Sequence, residues 1–433
     1  MATNTTKDYR NQVMYSIFVR SYSEEGSFNA VKKDIGRIKK LGVDIIWLLP
    51  IHPIGKTARK GAMGSPYAIS DFCAINPEYG TPDDFIALVK AIHEHGMKCI
   101  IDVVYNHTSP DSWLAQNHPE WFYHKEDGSF GNKVGEWPDV IDLDYYSQTD
   151  LWDYLIETLK QWAKIVDGFR CDVAPLIPLD FWLRARREVE TVKPGCIWLS
   201  ESVEPIFTVE NRDRGMVSLS DSEIFQAFDV SYEYDIFEFF KGYLEGRCSL
   251  CEYARMINQQ EAIYPDNYVK LRYLENHDNL RAAFIIPDEL PLLNWTAFIY
   301  FQKGMTLLYA GQETGDSHLP DLFDKDMVRW GMGVNLSGLL SKMYEIKKHP
   351  GFMDSRYDVQ AYPHEILYAR HRFGKRQLTG VFSVKGQASL LSTGVSDGVY
   401  TNLIDGDEVR IKSGKLSCKG KPIIFESARE GDR

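Results

Sequence analysis

A chain of 433 residues with 44% hydrophobic content can bury a large core and is expected to divide into two or three domains. Its formal charge of -12, from 61 acidic against 49 basic residues, argues against nucleic acid and against an anionic membrane as partners. Seven scattered cysteines, with Cys99, Cys171 and Cys196 inside apolar runs, suit buried free thiols in a reducing, cytoplasmic setting; Cys248 and Cys251 form a C-x-x-C with no second pair at zinc spacing.

From the N-terminus, Met1–Gln12 is polar with no apolar signal core, and no later run reaches the length of a membrane span. Eight short apolar runs then follow: Val13–Val19, Val43–Leu49, Cys99–Tyr105, Val166–Val173, Cys196–Val203, Gln226–Tyr232, Lys270–Leu274 and Met305–Ala310. They are rich in β-branched and aromatic residues and lack clean alternation, as strands buried on both faces do. Amphipathic stretches separate them. Phe28–Leu41 ends at Gly42, and Thr81-Pro82-Asp83-Asp84 opens a helix that stops at His95-Gly96. Leu151–Lys164, Asp180–Val192, Tyr234–Gln260 and Leu290–Lys303 fill further gaps. Strand–helix repetition of this kind predicts a (β/α)8 TIM barrel, and no Gly-rich phosphate turn supports a doubly wound sheet instead.

Two segments break the rhythm. Residues 107–148 are rich in Trp, Pro, Gly, Asp and His and are expected to form a short inserted subdomain after the third strand. Barrel residues are then 1–106 and 149–350. Beyond Pro350, the runs Ile366–His371, Gln377–Phe382, Ala388–Leu391, Tyr400–Asn402 and Pro422–Phe425, separated by turn residues, predict a C-terminal antiparallel β-sandwich domain over 351–433.

Active groups of such barrels sit at the C-terminal ends of the strands. The third run ends in Asn106 and His107, the fourth in Arg170 and Asp172, the fifth in Glu201, and the seventh in His277 and Asp278. A single acid at a strand end is usually a helix cap or a satisfied barrel charge. Three carboxylates, two histidines and an arginine converging on one mouth are costly to bury together without a ligand or reaction to use them. Paired carboxylates are what glycoside hydrolysis requires: one attacks or activates water, and the other, kept protonated, serves the leaving oxygen. Arg170 would keep Asp172 ionised, while the apolar run before Glu201 and its acidic neighbours favour the neutral acid there. Ring faces of the abundant aromatics suit a sugar ligand, although most aromatics simply fill cores; Trp113, Trp121 and Trp137 divide evenly between these two readings.

These strand ends resemble those of the α-amylase family of glycoside hydrolases, family 13. The motifs are Asp102–His107, Gly168–Asp172, Glu201 and Asn276–Asp278, joined by Ser65–Phe72 and Ile75–Thr81 after the second strand. The resemblance spans roughly residues 10–335. It implies a retaining enzyme in which Asp172 forms a glycosyl intermediate, Glu201 is the acid/base and Asp278 stabilises the transition state. It also implies that Tyr67 stacks on the sugar beside the cleaved bond, with His107, Arg170 and His277 lining that subsite. The expected substrate is an α-1,4-linked glucan such as starch or maltodextrin.

The pattern departs from the family at two places. Val173-Ala174-Pro175 follows the nucleophile where many members carry Lys-His, and Ser21–Ser27 lacks the acidic loop of calcium-binding members. Asn106 and Asp142 do match calcium-ligand positions. No cofactor is therefore expected to be required, with calcium as the candidate metal at that pair. Val140–Asp144 is similar to the amylase form of the inserted segment, whereas Asp172-Val173-Ala174 is similar to the cyclomaltodextrinase and neopullulanase group. An α-1,6-glucosidase, an α-glucan transglycosylase or cyclomaltodextrinase, and a non-catalytic sugar-binding member are the alternatives.

Overall fold

A computed structural model describes residues 5–135, 137–146 and 149–429. Ser147 and Gln148, at the expected end of the inserted segment, lie outside the described residues. Each of the eight runs contributes one strand to a closed parallel barrel. The strands are Val13–Ile17, Ile45–Leu48, Lys98–Val103, Gly168–Cys171, Ile197–Ser200, Val230–Tyr232, Lys270–Arg272 and Met305–Tyr309. Seven lie side by side in chain order, and the eighth closes against the first, Val13 opposite Thr306. Nearly every strand residue is buried, which explains the missing alternation: one face fills the barrel and the other packs under helices.

The helices begin where capping chemistry allows. Ser27 accepts from the Ala30 amide at the start of Phe28–Lys40. Thr81 and Asp84 exchange side-chain and backbone bonds in a capping box ahead of Pro82–Glu94. The expected single helix Tyr234–Gln260 is two, Tyr234–Leu244 and Leu250–Ile263. Gly246 has φ +75° between them, and Ser249 with Glu252 forms a second capping box, so the chain stops and restarts. The sixth strand is also shorter than its apolar run: Gln226–Phe228 completes the turn after the helix Asp221–Ile224.

The inserted segment leaves the third strand at Asn106. His107–Thr108 pairs antiparallel with Ile141–Asp142, and the helix Trp113–Asn117 lies between them. The C-terminal part contains two four-stranded antiparallel sheets. Ile366, Tyr368, Val381 and Phe425 from one sheet meet Leu391, Val409, Ile411 and Leu416 from the other. Alternate residues of the first sheet, Leu367, Ala369, Leu378 and Phe382, face the barrel's own core instead. Phe382 packs against Phe298 and Phe301 of the helix Glu289–Phe301, which seats the sandwich on the barrel. Among the described residues no helix is long and apolar enough to cross a membrane, and all seven cysteines are free thiols, Cys99, Cys171 and Cys196 buried.

Candidate active site

Barrel register brings the charged strand ends together. Asp102 lies opposite Arg170 on the neighbouring strand, and Cys171 opposite Ser200. The ladder continues one step further: the Asp172 amide donates to the Val103 carbonyl (2.9 Å) and the Glu201 amide to the Cys171 carbonyl (3.0 Å). Both carboxylates are thereby fixed by backbone at the barrel mouth. Period-two alternation turns Arg170 and Asp172 to the same side.

Arg170 is the hub. Its Nη1 donates to Asp102 Oδ1 at 2.8 Å and to Asp172 Oδ1 at 2.9 Å. Its Nη2 lies 2.8 Å from Glu201 Oε2, close enough for an ion pair, but its N–H bonds do not aim at that oxygen. The guanidinium is wholly buried, with Trp47, Tyr67 and Tyr232 rings 5.2–5.6 Å from its centre. One cation thus faces three carboxyls in a dry pocket. Burial dominates the outcome: it pushes Asp172 up to about 7 and Asp102 up to about 6, with Arg170 opposing in each case. Burial drives Glu201 well above the ordinary carboxylic range, Arg170 again opposing, and Asp172 and Asp278 add repulsion. Arg170 pulls Asp172 toward its ionised form, the direction expected from the sequence, but desolvation outweighs a single shared guanidinium.

Val173, directly after Asp172, has φ 35° in the left-handed region, a costly conformation for a β-branched residue. Its amide donates to Glu201 Oε2 at 2.9 Å, which ties the two catalytic candidates through one turn of backbone.

Tyr67 and His277 form the opposite edge. Their rings stack 13° from parallel, with centroids 5.6 Å apart. Burial lowers the His277 pKa to about 4, so the imidazole is neutral with one N–H. Tyr67 Oη donates to Asp102 Oδ2 at 3.1 Å and lies 2.6 Å from His277 Nε2. Because the phenol has one proton, Nε2–H donates to the phenol oxygen, and the same nitrogen is 3.1 Å from Asp278 Oδ2. Nδ1 then carries no proton, and it has no partner. Asp278 keeps 40% of its side chain exposed to the cleft. Its amide and that of Asn279 both donate to Asn276 Oδ1 at 2.9 Å, which sets the turn.

His107 is buried, and desolvation lowers its pKa, so it too is neutral. Asn106 Nδ2 donates to His107 Nδ1 at 3.2 Å, which puts the ring proton on Nε2. Asn106 also donates to Asp142 Oδ1 at 3.4 Å, and the Lys133 amide donates to Asp142 Oδ2 at 2.7 Å. Asn106 and Asp142 are thus brought together, but as a donor–acceptor pair with both Asp142 oxygens engaged. Among the described residues no group of three or more His, Cys, Asp or Glu is placed to hold a metal ion.

All seven expected site residues except Arg170, which lies beneath the floor, line one cleft of about 360 Å³. Three of its other walls went unread in the sequence: Lys60, Phe323 and the Phe207–Tyr234 side. Asp102 appeared only as the start of a motif. The tryptophans separate. Trp137 lines the cleft beside His107, Trp121 is buried, and Trp113 lies outside the cleft on Tyr154.

Comparison with known proteins places this geometry in context. Residues 7–349 match the family model "Alpha amylase, catalytic domain", and residues 358–425 match "Bacterial Alpha amylase C-terminal domain". The crystal structure of an α-amylase from Lactobacillus plantarum superposes with a TM-score of 0.95 at 46% identity, covering 98% of this chain and 100% of that one. A noncanonic maltogenic α-amylase, AmyB from Thermotoga neapolitana, superposes with a TM-score of 0.86 at 33% identity, covering 97% and 99%. An α-1,4-glucan:maltose-1-phosphate maltosyltransferase of Myxococcus xanthus is 32% identical over 274 residues, 58% of this chain and 38% of that protein. The chain spans 38% of that curated relative's length and 51% of the α-amylase MalA of Haloarcula japonica, which is 27% identical over 369 residues, or 82% of this chain. With the catalytic-domain model matched over residues 7–349, the chain belongs to the α-amylase family of glycoside hydrolases.

Proposed function

We propose that this protein hydrolyses α-1,4-glucosidic bonds in starch, maltodextrins or related α-glucans with retention of configuration. The observation that carries the reading is the single buried guanidinium of Arg170 within 2.8–2.9 Å of Asp102, Asp172 and Glu201. One positive charge cannot neutralise three ionised carboxyls, so the site keeps a proton, and Glu201 has the stronger upward push. Asp172 attacks the anomeric carbon while Glu201 gives its proton to the departing glycosidic oxygen. Water, deprotonated by Glu201, then releases the sugar from Asp172. Contact of both groups with one guanidinium suits the roughly 5–5.5 Å carboxyl separation of retaining enzymes. Asp278, 3.1 Å from His277 Nε2, faces the cationic transition state. Tyr67 supplies a ring face, and His107 lines the cleft beside it.

A second reading, transfer of the glycosyl unit to another sugar, is favoured by one observation: the matched curated relatives include maltosyltransferases. Both readings share the same covalent step and part at the acceptor. The test is incubation with maltoheptaose, isomaltose, panose, pullulan and cyclodextrin, following product lengths over time. Hydrolysis predicts only shorter products from maltoheptaose, whereas early products longer than the substrate mark transfer. Cleavage of isomaltose but not maltoheptaose would replace the α-1,4 assignment by α-1,6.

A further inference from the structure

The barrel order sets Glu201's strand diametrically across the mouth from the first strand, which the second and eighth strands flank. If Glu201 protonates the leaving oxygen, the departing sugars occupy its side, where Val203, Glu204 and Phe207 line the cleft. The sugar bonded to Asp172, and any joined to it, must extend toward the loops after the second and eighth strands.

Those two loops are bonded to each other. The Met63 and Gly64 amides both donate to the Phe323 carbonyl (2.9 and 3.1 Å), and the Ala62 amide donates to Asp324 Oδ1 (2.7 Å). Arg20, fully buried, donates from one nitrogen to the carbonyls of Gly64 and Leu322, both at 3.0 Å. Gly61 has φ +61°, and a Cβ there would lie 2.7 Å from Phe323, so only glycine permits this approach. From this wall Lys60 reaches over the Phe323 ring, 5.6 Å from its centre, to Asp139 Oδ1 at 2.8 Å. Asp139 belongs to the inserted segment, and its carboxylate is only 4% exposed against 34% for the Lys60 side chain. A glucan chain cannot thread between atoms in ion-pair contact, and Lys60, Asp139 and Phe323 all line the cleft.

We propose that Lys60, Asp139 and Phe323 close the glycone end of the cleft, so that the enzyme works from the non-reducing ends of α-glucans and releases short maltooligosaccharides. This rests on the hydrolytic reading above and adds the direction and mode of attack. Opening the latch should admit longer chains: Lys60→Ala leaves Asp139 an unpaired buried carboxylate that draws in water, and Asp139→Asn removes the attraction with little change in volume.

The experiment compares maltoheptaose labelled at its reducing end with the same sugar blocked at its non-reducing terminal hydroxyls. The wild-type enzyme should prefer the free sugar in kcat/KM by about tenfold or more, and its first labelled products should be the longest fragments. Lys60→Ala and Asp139→Asn should each shrink that preference to about threefold or less and yield labelled fragments from mid-chain cuts. Because the readout is a ratio within one enzyme, partial loss of folded protein does not disturb it. Equal cleavage of both sugars by the wild type, or an unchanged ratio in both variants, overturns the closed-end proposal. A wild type that cuts neither sugar overturns the α-glucan reading beneath it.

Discussion

Replacing Asp172 by Asn should abolish activity and yet stabilise the fold at alkaline pH. In the native site burial raises this carboxyl from 3.8 to about 7. Between those values the folded protein holds a proton that the unfolded chain has released, so stability falls as pH rises from about 4 to about 7. The full shift corresponds to a cost on the order of 4 kcal/mol at about pH 8. Asn removes the charge but also the charge-assisted bond from Arg170, worth about 1.5–3 kcal/mol, which leaves a net gain of about 1–2 kcal/mol. For a chain of this size that gain is a rise in Tm of about 1–4 °C. At about pH 4 the wild-type carboxyl is already protonated, the gain disappears, and the variant is equal or slightly weaker. Thermal unfolding of both proteins at the two pH values checks this, with the hydrolysis rate falling by several orders of magnitude in the same sample. A variant destabilised at alkaline pH, or equally stabilised at both, would refute the claim that Asp172 is held ionised against its environment.

Further outcomes follow from the same contacts. The rate profile in kcat/KM should rise with pH as Asp172, at about 7, loses its proton and fall as Glu201, pushed up by burial, ionises; Glu201→Gln, assayed with an activated substrate, should lose the falling limb and keep the rising one. Tyr67→Phe deletes the phenol's bonds to Asp102 and His277 and should lower kcat/KM by about 5- to 30-fold, from a loss of about 1–2 kcal/mol, without loss of fold by circular dichroism. Because both Asp142 oxygens already accept protein donors, a calcium chelator should move Tm by less than about 1 °C and leave activity unchanged; a large loss restored by calcium would show that Asn106 and Asp142 join a real ion site.

The barrel was legible because parallel strands buried on both faces leave continuous apolar runs, as Val13–Ile17 and Met305–Tyr309 do. Strand ends pointed to Asp172, Glu201 and Asp278 because barrel geometry delivers every C-terminal end to one mouth. The C-terminal strands were half read. Arg356–Tyr362, Glu408–Lys412 and Lys415–Lys419 were missed although Val409 and Ile411, then Leu416 and Cys418, alternate cleanly across a Ser413-Gly414 turn. In the last two, five residues each, only two inward apolar side chains per strand carry the two-residue period, too few to stand out from their charged neighbours. Helix Tyr234–Gln260 was over-extended because apolar spacing persists through Gly246, and only the Ser249–Glu252 cap marks the restart. The Lys60–Asp139 contact was not readable at all: it joins residues on two different loops, and neither loop carries a periodic signal.

The most direct test of the central claim is capture of the glycosyl intermediate. The Glu201→Gln enzyme, treated with an α-glucosyl fluoride whose leaving group needs little protonation, should accumulate a covalent glucosyl adduct, because attack survives while water activation is lost. Peptide mapping by mass spectrometry should locate the added hexose on Asp172, and added azide should discharge it as α-glucosyl azide. An adduct on another residue, or no adduct together with a β-configured first product from the wild-type enzyme, would contradict the assignment.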